Sequence, residues 1–163
     1  MGLAAYRKKR TFKKTPEPKG KISKPSKKRL YVVQRHDASH LHYDFRLEIG
    51  GVLKSWALPK GLPVKLNEKR LAVMTEDHPK EYAYFEGEIP KGNYGAGTVK
   101  IWDRGKYTNL KRDKNGKELP LKTCIQKGQL SILLEGKRYK GAYALIHFRD
   151  KNWLMMKLKT RKI

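Results

Sequence analysis

Cysteine is almost missing from this sequence. A single Cys124 in 163 residues cannot close an internal disulfide, which suits a reducing compartment and sets the expectation of a cytoplasmic protein. Long apolar runs are missing too, so no segment is expected to cross a membrane as a helix. The N-terminus lacks the apolar core of a signal peptide. Acidic residues are scarce: fifteen Asp and Glu face thirty-nine Lys and Arg, a net charge of +24. Amphipathic periodicity at helical spacing is absent beyond about one turn, and no internal repeat is visible. A chain of this length is most simply one domain that buries its core without staples.

The charge excess narrows the class of partner. A surface this basic repels itself and calls for a polyanion. Nucleic acid fits best, bound through phosphates and in a salt-dependent way; an anionic membrane surface is a distant second. A thermophile's lysine-rich surface would balance Lys with Glu, and Glu is scarce here. Residues 1–29 concentrate the effect, with twelve Lys or Arg against one acid, Glu17. Pro16, Pro18 and Pro25 interrupt this stretch, which reads as an extended basic arm. Residues 30–163 read as the folded domain.

From Leu30 the pattern is that of β-structure. Short alternating or apolar runs fall at Leu30–Gln34, His42–Glu48, Val52–Leu58, Leu71–Glu76, Thr98–Asp103, Gln129–Glu135, Ala142–Phe148 and Trp153–Leu158, parted by Gly- and Lys-rich turns. Ile49-Gly50-Gly51 between two of them is a hairpin signal. Seven or eight short strands with little helix predict a mainly β fold, a compact antiparallel β-barrel.

The chemistry concentrates in Gln34-Arg35-His36-Asp37-Ala38-Ser39-His40-Leu41-His42-Tyr43-Asp44-Phe45-Arg46-Leu47-Glu48, which holds three of the five histidines. From His42 the run alternates. His42, Asp44, Arg46 and Glu48 share one face of a strand; Tyr43, Phe45 and Leu47 share the other, turned to the core. His36, His42 and Asp44 form a metal-ligand set that leaves positions open for water and substrate. Arg46 beside them suits a phosphate. A second cluster, Glu76-Asp77-His78-Pro79-Lys80-Glu81-Tyr82, places His78 at a strand end before proline. There it can serve as a general acid or phosphate donor. Met74, Glu76 and His78 share parity. The glycines of Lys91–Gly97 precede no helix, so they predict a tight β-connection and not a phosphate loop. Cys124, His147, Trp56, Trp102 and Trp153 read as structural.

These clusters carry a family resemblance. The blocks Tyr31-Val32-Val33-Gln34-Arg35-His36-Asp37-Ala38, Leu41-His42-Tyr43-Asp44-Phe45-Arg46-Leu47-Glu48 and Gly51–Gly61 come first. Lys69–Val73, Glu76-Asp77-His78-Pro79, Tyr82, Phe85-Glu86-Gly87 and Tyr94–Gly97 through Trp102–Gly105 follow. Together they resemble the 3′-phosphoesterase module of bacterial ligase D, the multifunctional end-joining DNA ligase, and its free-standing archaeal relatives. The match is dense over residues 31–107, and Tyr6–Arg10, Phe12 and Thr15–Pro18 also fit.

The resemblance implies a β-barrel enzyme that heals 3′ ends for DNA repair by end joining. Such enzymes take a terminal ribonucleoside from a DNA or RNA–DNA primer end, and then remove the remaining 3′-phosphate to leave a 3′-hydroxyl. It implies one divalent metal, manganese foremost, on His36, His42 and Asp44. Arg46, His78 and Tyr82 match residues around the phosphate; Gln34, Lys60, Arg70 and Glu76 match residues implicated in activity; Arg10 and Glu17 match functional positions of the N-terminal segment. Residues 6–18 are then expected to fold back near the site, leaving residues 19–29 as a flexible link. A separate DNA ligase and Ku are the implied protein partners. Thr11 departs from the family pattern, which usually has Asp there; the departure points to weaker ribonucleoside removal than phosphatase action. Two other classes share parts of the pattern. A non-heme iron oxygenase would use His42, Asp44 and a distant His on a barrel, and a non-catalytic nucleic-acid-binding barrel would use only the charge.

Overall fold

The computed structural model describes residues 2–20 and 29–159. Nine strands occur among the described residues: β1 (Leu30–Asp37), β2 (Leu41–Ile49), β3 (Val52–Leu58), β4 (Lys69–His78), β5 (Gly87–Ile89), β6 (Gly97–Asn109), β7 (Gln129–Glu135), β8 (Lys140–Arg149) and β9 (Asn152–Lys157). They run in the order β1-β2-β3-β4-β9-β8-β7-β6, and β6 pairs back onto β1. Eight antiparallel strands therefore close into a barrel and abolish the free edges. The short β5 adds to the start of β6. The mainly β, antiparallel barrel expected from the alternation is the fold observed.

Two cores hold it. The barrel interior is filled by the inward face of every barrel strand, including Tyr31, Phe45, Trp56, Ala72, Tyr107, Ile132, Leu145 and Met155. A second core lies on the outer face of β1, β3, β5 and β6. There Val32, Leu53, Ile89 and Val99 meet Tyr82, Ala83 and Phe85, and Tyr6 from the N-terminal segment. Hence both faces of β2 are buried from Asp44 to Ile49. The polar face of a half-solvated strand has been roofed over. The roof is a short helix α1 (Ala4–Lys8), the chain following it to Gly20, and a 3-10 turn at Lys80–Tyr84. The flexible link expected at residues 19–29 falls mainly on residues 21–28, which lie outside the described residues.

Three local departures from the sequence pattern have physical causes. A second helix, α2 (Leu121–Lys127), is two turns long and ends at Gly128 in the left-handed region (φ 73°). Its apolar residues Leu121, Cys124 and Ile125 plug the barrel; three such residues are too few to make a legible period. Next, β4 does not keep one parity. Trp56 pairs with Met74, both on the interior, yet Leu53 pairs with His78, both on the outer face, because the register shifts between Leu53 and Ser55. A bulge re-aims His78 away from the barrel interior. Finally, Trp102 is the extra residue at a shift in the β1–β6 register. It is only half-buried, donates its indole N–H to the Tyr139 hydroxyl (3.1 Å), and has the Arg138 guanidinium 3.6 Å from its ring centre. His147 is exposed and bonds the Asp150 carbonyl in the β8–β9 turn (2.6 Å).

The interior makes a direct stability prediction. Phe45 is fully buried between Tyr31 and Trp56, with ring centres 6.1 and 6.2 Å away. Phe45→Ala should lower unfolding free energy by about 3–5 kcal/mol in urea denaturation. A loss under about 1 kcal/mol would mean that the barrel is not packed around this ring.

Candidate active site

The β1–β2 hairpin builds one wall. Its register sets His36 directly opposite His42 and Gln34 opposite Asp44, so residues far enough apart to look unrelated in sequence become cross-strand neighbours. His36 Nδ1 lies 3.2 Å from His42 Nε2 and 3.5 Å from Asp44 Oδ2; His42 Nε2 lies 3.3 Å from Asp44 Oδ1. The other nitrogen of each ring faces a backbone carbonyl: His36 Nε2 donates to Gly95 O (2.7 Å) and His42 Nδ1 to His40 O (3.1 Å). A carbonyl only accepts, so those nitrogens carry the protons. The lone pairs of His36 Nδ1 and His42 Nε2 therefore converge on the Asp44 carboxylate. One ligand atom from each residue lies within 4.8 Å of the others. Burial opposes ionisation of Asp44, but the adjacent Arg46 guanidinium, foremost among its polar neighbours, holds the carboxyl well below its usual range. Two imidazoles of fixed tautomer and an anionic carboxylate fit a divalent cation of the Mn, Fe or Zn type, with carbonyls in the outer shell.

Arg46 stands next to this cluster on the same face of β2. Its Nε–H donates to Gln34 Oε1 (2.7 Å), and its Nη2 lies 3.4 Å from Asp44 Oδ2. Gln34 is itself fixed, donating its amide to the carbonyls of Tyr82 (2.7 Å) and Phe85 (3.1 Å). The guanidinium lies 4.8 Å from the Tyr82 ring centre. Its Nη1 is buried and has no hydrogen-bond partner among the described residues. A buried guanidinium donor without an acceptor costs free energy. An anionic oxygen would satisfy it.

The N-terminal segment and the 3-10 turn supply the opposite wall. Glu17 accepts from Tyr82 Oη (2.6 Å), Arg10 Nε (3.0 Å) and Thr15 Oγ1 (3.0 Å). Arg10 also reaches Glu76 (3.3 Å), and Lys9 pairs with the other Glu76 oxygen (3.2 Å). Burial opposes ionisation of Glu76, but its own backbone N–H, Lys9 and Arg10 hold the carboxyl below its usual range. His78 lies buried against Tyr6 and Tyr82, ring centres 5.1 and 4.7 Å away. Its Nδ1 donates to the Glu76 carbonyl (2.9 Å), so the backbone of Glu76, and not its carboxylate, orients the ring. Burial, then the Arg46 and Arg10 charges, push His78 well below its ordinary pKa. The imidazole is therefore neutral in the free cleft. With Nδ1 donating to that carbonyl, the neutral ring leaves Nε2 with its lone pair free.

The cleft these walls enclose measures about 250 Å³. Of the residues singled out in the sequence, Arg10, Glu17, His36, His42, Asp44, Arg46, Glu76, His78 and Tyr82 line it. Gln34 lies behind Arg46. Lys60 and Arg70 are not in the lining. Arg70 binds the Lys60 carbonyl and Glu68 (3.1 Å), bracing the β3–β4 connection. Thr11 is exposed and outside the lining. Tyr94 and Gly95 do line it. They belong to the glycine-rich stretch read as a plain connection, and a half-exposed aromatic between glycines was the available signal.

Comparison with known proteins follows the same residues. Residues 34–147 match the family model described as the DNA Ligase D 3′-phosphoesterase domain. The multifunctional non-homologous end joining protein LigD of Pseudomonas aeruginosa is 47% identical over 163 residues, covering 96% of this chain and 18% of that protein. LigD of Mycolicibacterium smegmatis is 47% identical over 161 residues, 98% of this chain and 21% of its own length. The multifunctional non-homologous end joining DNA repair protein LigD of Mycobacterium tuberculosis is 45% identical over 162 residues, 98% and 20%. The chain thus spans about a fifth of these relatives.

The buried neutral His78 predicts a pH dependence. Its folded pKa is depressed, so below about pH 6.5 the unfolded chain binds a proton that the folded chain refuses. Stability must fall as pH drops through that range, by up to about 1.4 kcal/mol per pH unit for one proton. Urea denaturation of the metal-free protein between pH 7 and 5 should show the slope, and His78→Asn should flatten it. Equal slopes for both proteins would place the titration elsewhere.

Proposed function

The chain belongs to the DNA ligase D 3′-phosphoesterase family, and from that premise we propose that it is a divalent-metal-dependent hydrolase of 3′ ends. Its substrates are DNA or mixed RNA–DNA primer ends bearing a 3′-phosphate or a 3′-terminal ribonucleoside. Its products are 3′-hydroxyl ends fit for ligation in end joining, with a separate ligase and Ku as the partners. Manganese is the metal. The observation that carries the reading is the pairing of a three-residue ligand cluster with a buried, partnerless guanidinium N–H on the same strand face.

His36, His42 and Asp44 would hold the cation, which would supply charge neutralisation and a more acidic water. Formal charge supports the need for it. The cleft is lined by two guanidiniums, Arg10 and Arg46, and three carboxylates, Glu17, Asp44 and Glu76, a net of minus one. Lys9, paired with Glu76, brings this wall to neutrality, and a divalent cation would add the positive charge that suits a phosphate dianion. Arg46 receives a phosphate oxygen on Nη1, aimed by Gln34, and stabilises charge that grows in the transition state. His78 takes the proton of the attacking water on Nε2, the arriving dianion stabilises the imidazolium formed, and the departing 3′ oxygen on the opposite side of phosphorus takes its proton from solvent. Water is split and one P–O bond exchanged, so no redox partner is needed. Tyr82, locked by Glu17, packs both Arg46 and His78 in place. Arg10 and Glu17 thereby act on the phosphate through neighbours, and Lys60 and Arg70 act from outside the cleft on the strand. An oxygenase would use the same three ligands, but the net charge of +24 favours a polyanionic substrate.

Treating a 3′-phosphorylated oligonucleotide with the protein should release inorganic phosphate with Mn²⁺ and not with chelator. No release under either condition would overturn the reading. A variant carrying His42→Ala and Asp44→Ala should stay folded by circular dichroism while losing both release and metal binding. Arg46→Lys keeps the charge but loses the planar fork. Its turnover should drop on the order of 10²-fold, as for removal of one preorganised donor. Near wild-type turnover would show that charge alone suffices there.

A further inference from the structure

Tyr94 is an aromatic cleft residue to which the reaction gives no task. It is 47% exposed although it borders a cluster of buried polar residues. Its loop is not loose. Asn93 N–H donates to the Pro90 carbonyl (3.2 Å), its side chain donates there too (3.1 Å), and Ala96 N–H donates to the Asn93 carbonyl (3.1 Å). The next residue, Gly95, adopts φ 77° and offers its carbonyl to His36. Two consecutive turns and a histidine thus fix the backbone that carries the ring. Lys9 Nζ sits 4.7 Å from the ring centre and donates to the hydroxyl (3.4 Å); the Arg10 guanidinium sits 5.3 Å away. An exposed, rigidly held aromatic ring beside two cations at the mouth of a phosphate cleft has the composition of a nucleotide-stacking platform: a π-face for the base and positive charge for the backbone.

Resting on the function proposed above, we infer that Tyr94 stacks against the nucleobase at the 3′ end of the strand, while Lys9 contacts its backbone, so that the terminal phosphate reaches Arg46. The platform makes the enzyme prefer ends that carry a base, of any identity, over ends that carry only a sugar. Stacking is tolerant of sequence because every base has a π-face. The glycine-rich loop then acts as a mount for a ring, and not as a phosphate cradle.

The test uses the full-length protein and oligonucleotides ending in a 3′-phosphate, with either a normal or an abasic terminal residue. Tyr94→Ala should raise KM for the normal end roughly 10- to 100-fold, the range for one stacked base, with the loss in KM and not in kcat. Tyr94→Phe should behave as wild type. On the abasic end, wild type and Tyr94→Ala should have the same KM. A second readout needs no turnover: 2-aminopurine at the 3′ terminus should lose fluorescence on binding wild type and Tyr94→Phe, and keep it with Tyr94→Ala. Turnover with quenching that ignores position 94, or an equal KM rise on abasic ends, overturns the platform and leaves the phosphoesterase reading standing. Quenching that depends on position 94 without phosphate release sustains the platform and overturns the reaction.

Discussion

Everything at this site depends on the register of β1 against β2. His36 is directly opposite His42 because Asp37 pairs with Leu41 across a three-residue turn. Slipping the pairing by one residue would send His36 to the barrel interior beside Tyr43 and Phe45, or break the two-imidazole pair. The apolar face forbids the slip: Tyr31, Val33, Phe45 and Leu47 are all fully buried inside the barrel, and each would be driven to the outer face. The same hydrophobic burial that closes the barrel therefore holds the ligand geometry. The ring tautomers follow from carbonyls that this register and the Gly95 turn bring into reach.

The polar wall of β2 is unusual in being buried. The Arg46 guanidinium and Asp44 carboxylate of β2, with the Gln34 amide of neighbouring β1, are taken out of water, which is tolerable only with partners. The roof supplies them: Glu17 binds Arg10, Tyr82 and Thr15, and the Tyr82 carbonyl in turn fixes Gln34. Phe12 and Tyr6 give that roof its apolar hold, with Tyr6 fully buried against His78 and Tyr82. So the N-terminal segment completes a wall of the cleft. Of its basic residues, Lys9 and Arg10 stand at that wall, paired with Glu76 and Glu17.

The barrel and the ligand hairpin were legible because they depend on period-two alternation, the strongest local signal a β-protein emits. His42, Asp44 and Arg46 are spaced two apart and needed nothing else. His78 carried the wrong expectation in part: parity placed it with Met74, and only the bulge in β4, set by pairing with β3, separates them. Bulges are decided across strands, so no local pattern announces one. Lys60 and Arg70 are matched to the site through resemblance alone; Arg70 binds the Lys60 carbonyl and Glu68, and neither residue lines the cleft. Tyr94 was passed over because glycines dominated its neighbourhood; the ring's position beside Arg10 and Lys9 arises from the fold-back of a segment more than eighty residues earlier in the chain.

The electrostatics of the cleft show why its histidines divide their work. All three lie within one buried space, yet their surroundings differ. His42 feels the Asp44 carboxylate, which outweighs the burial that disfavours its charged form and raises its pKa. His78 is fully buried and faces Arg46 and Arg10, which both disfavour its charge. The first environment rewards positive charge between the rings, as a bound cation would supply. The second keeps an imidazole neutral until an anion enters. A phosphate does both things at once: it occupies the vacant Arg46 donor and brings negative charge toward His78. In the proposed reaction, substrate binding would therefore raise the proton affinity of His78, the one cleft imidazole outside the His36–His42–Asp44 cluster.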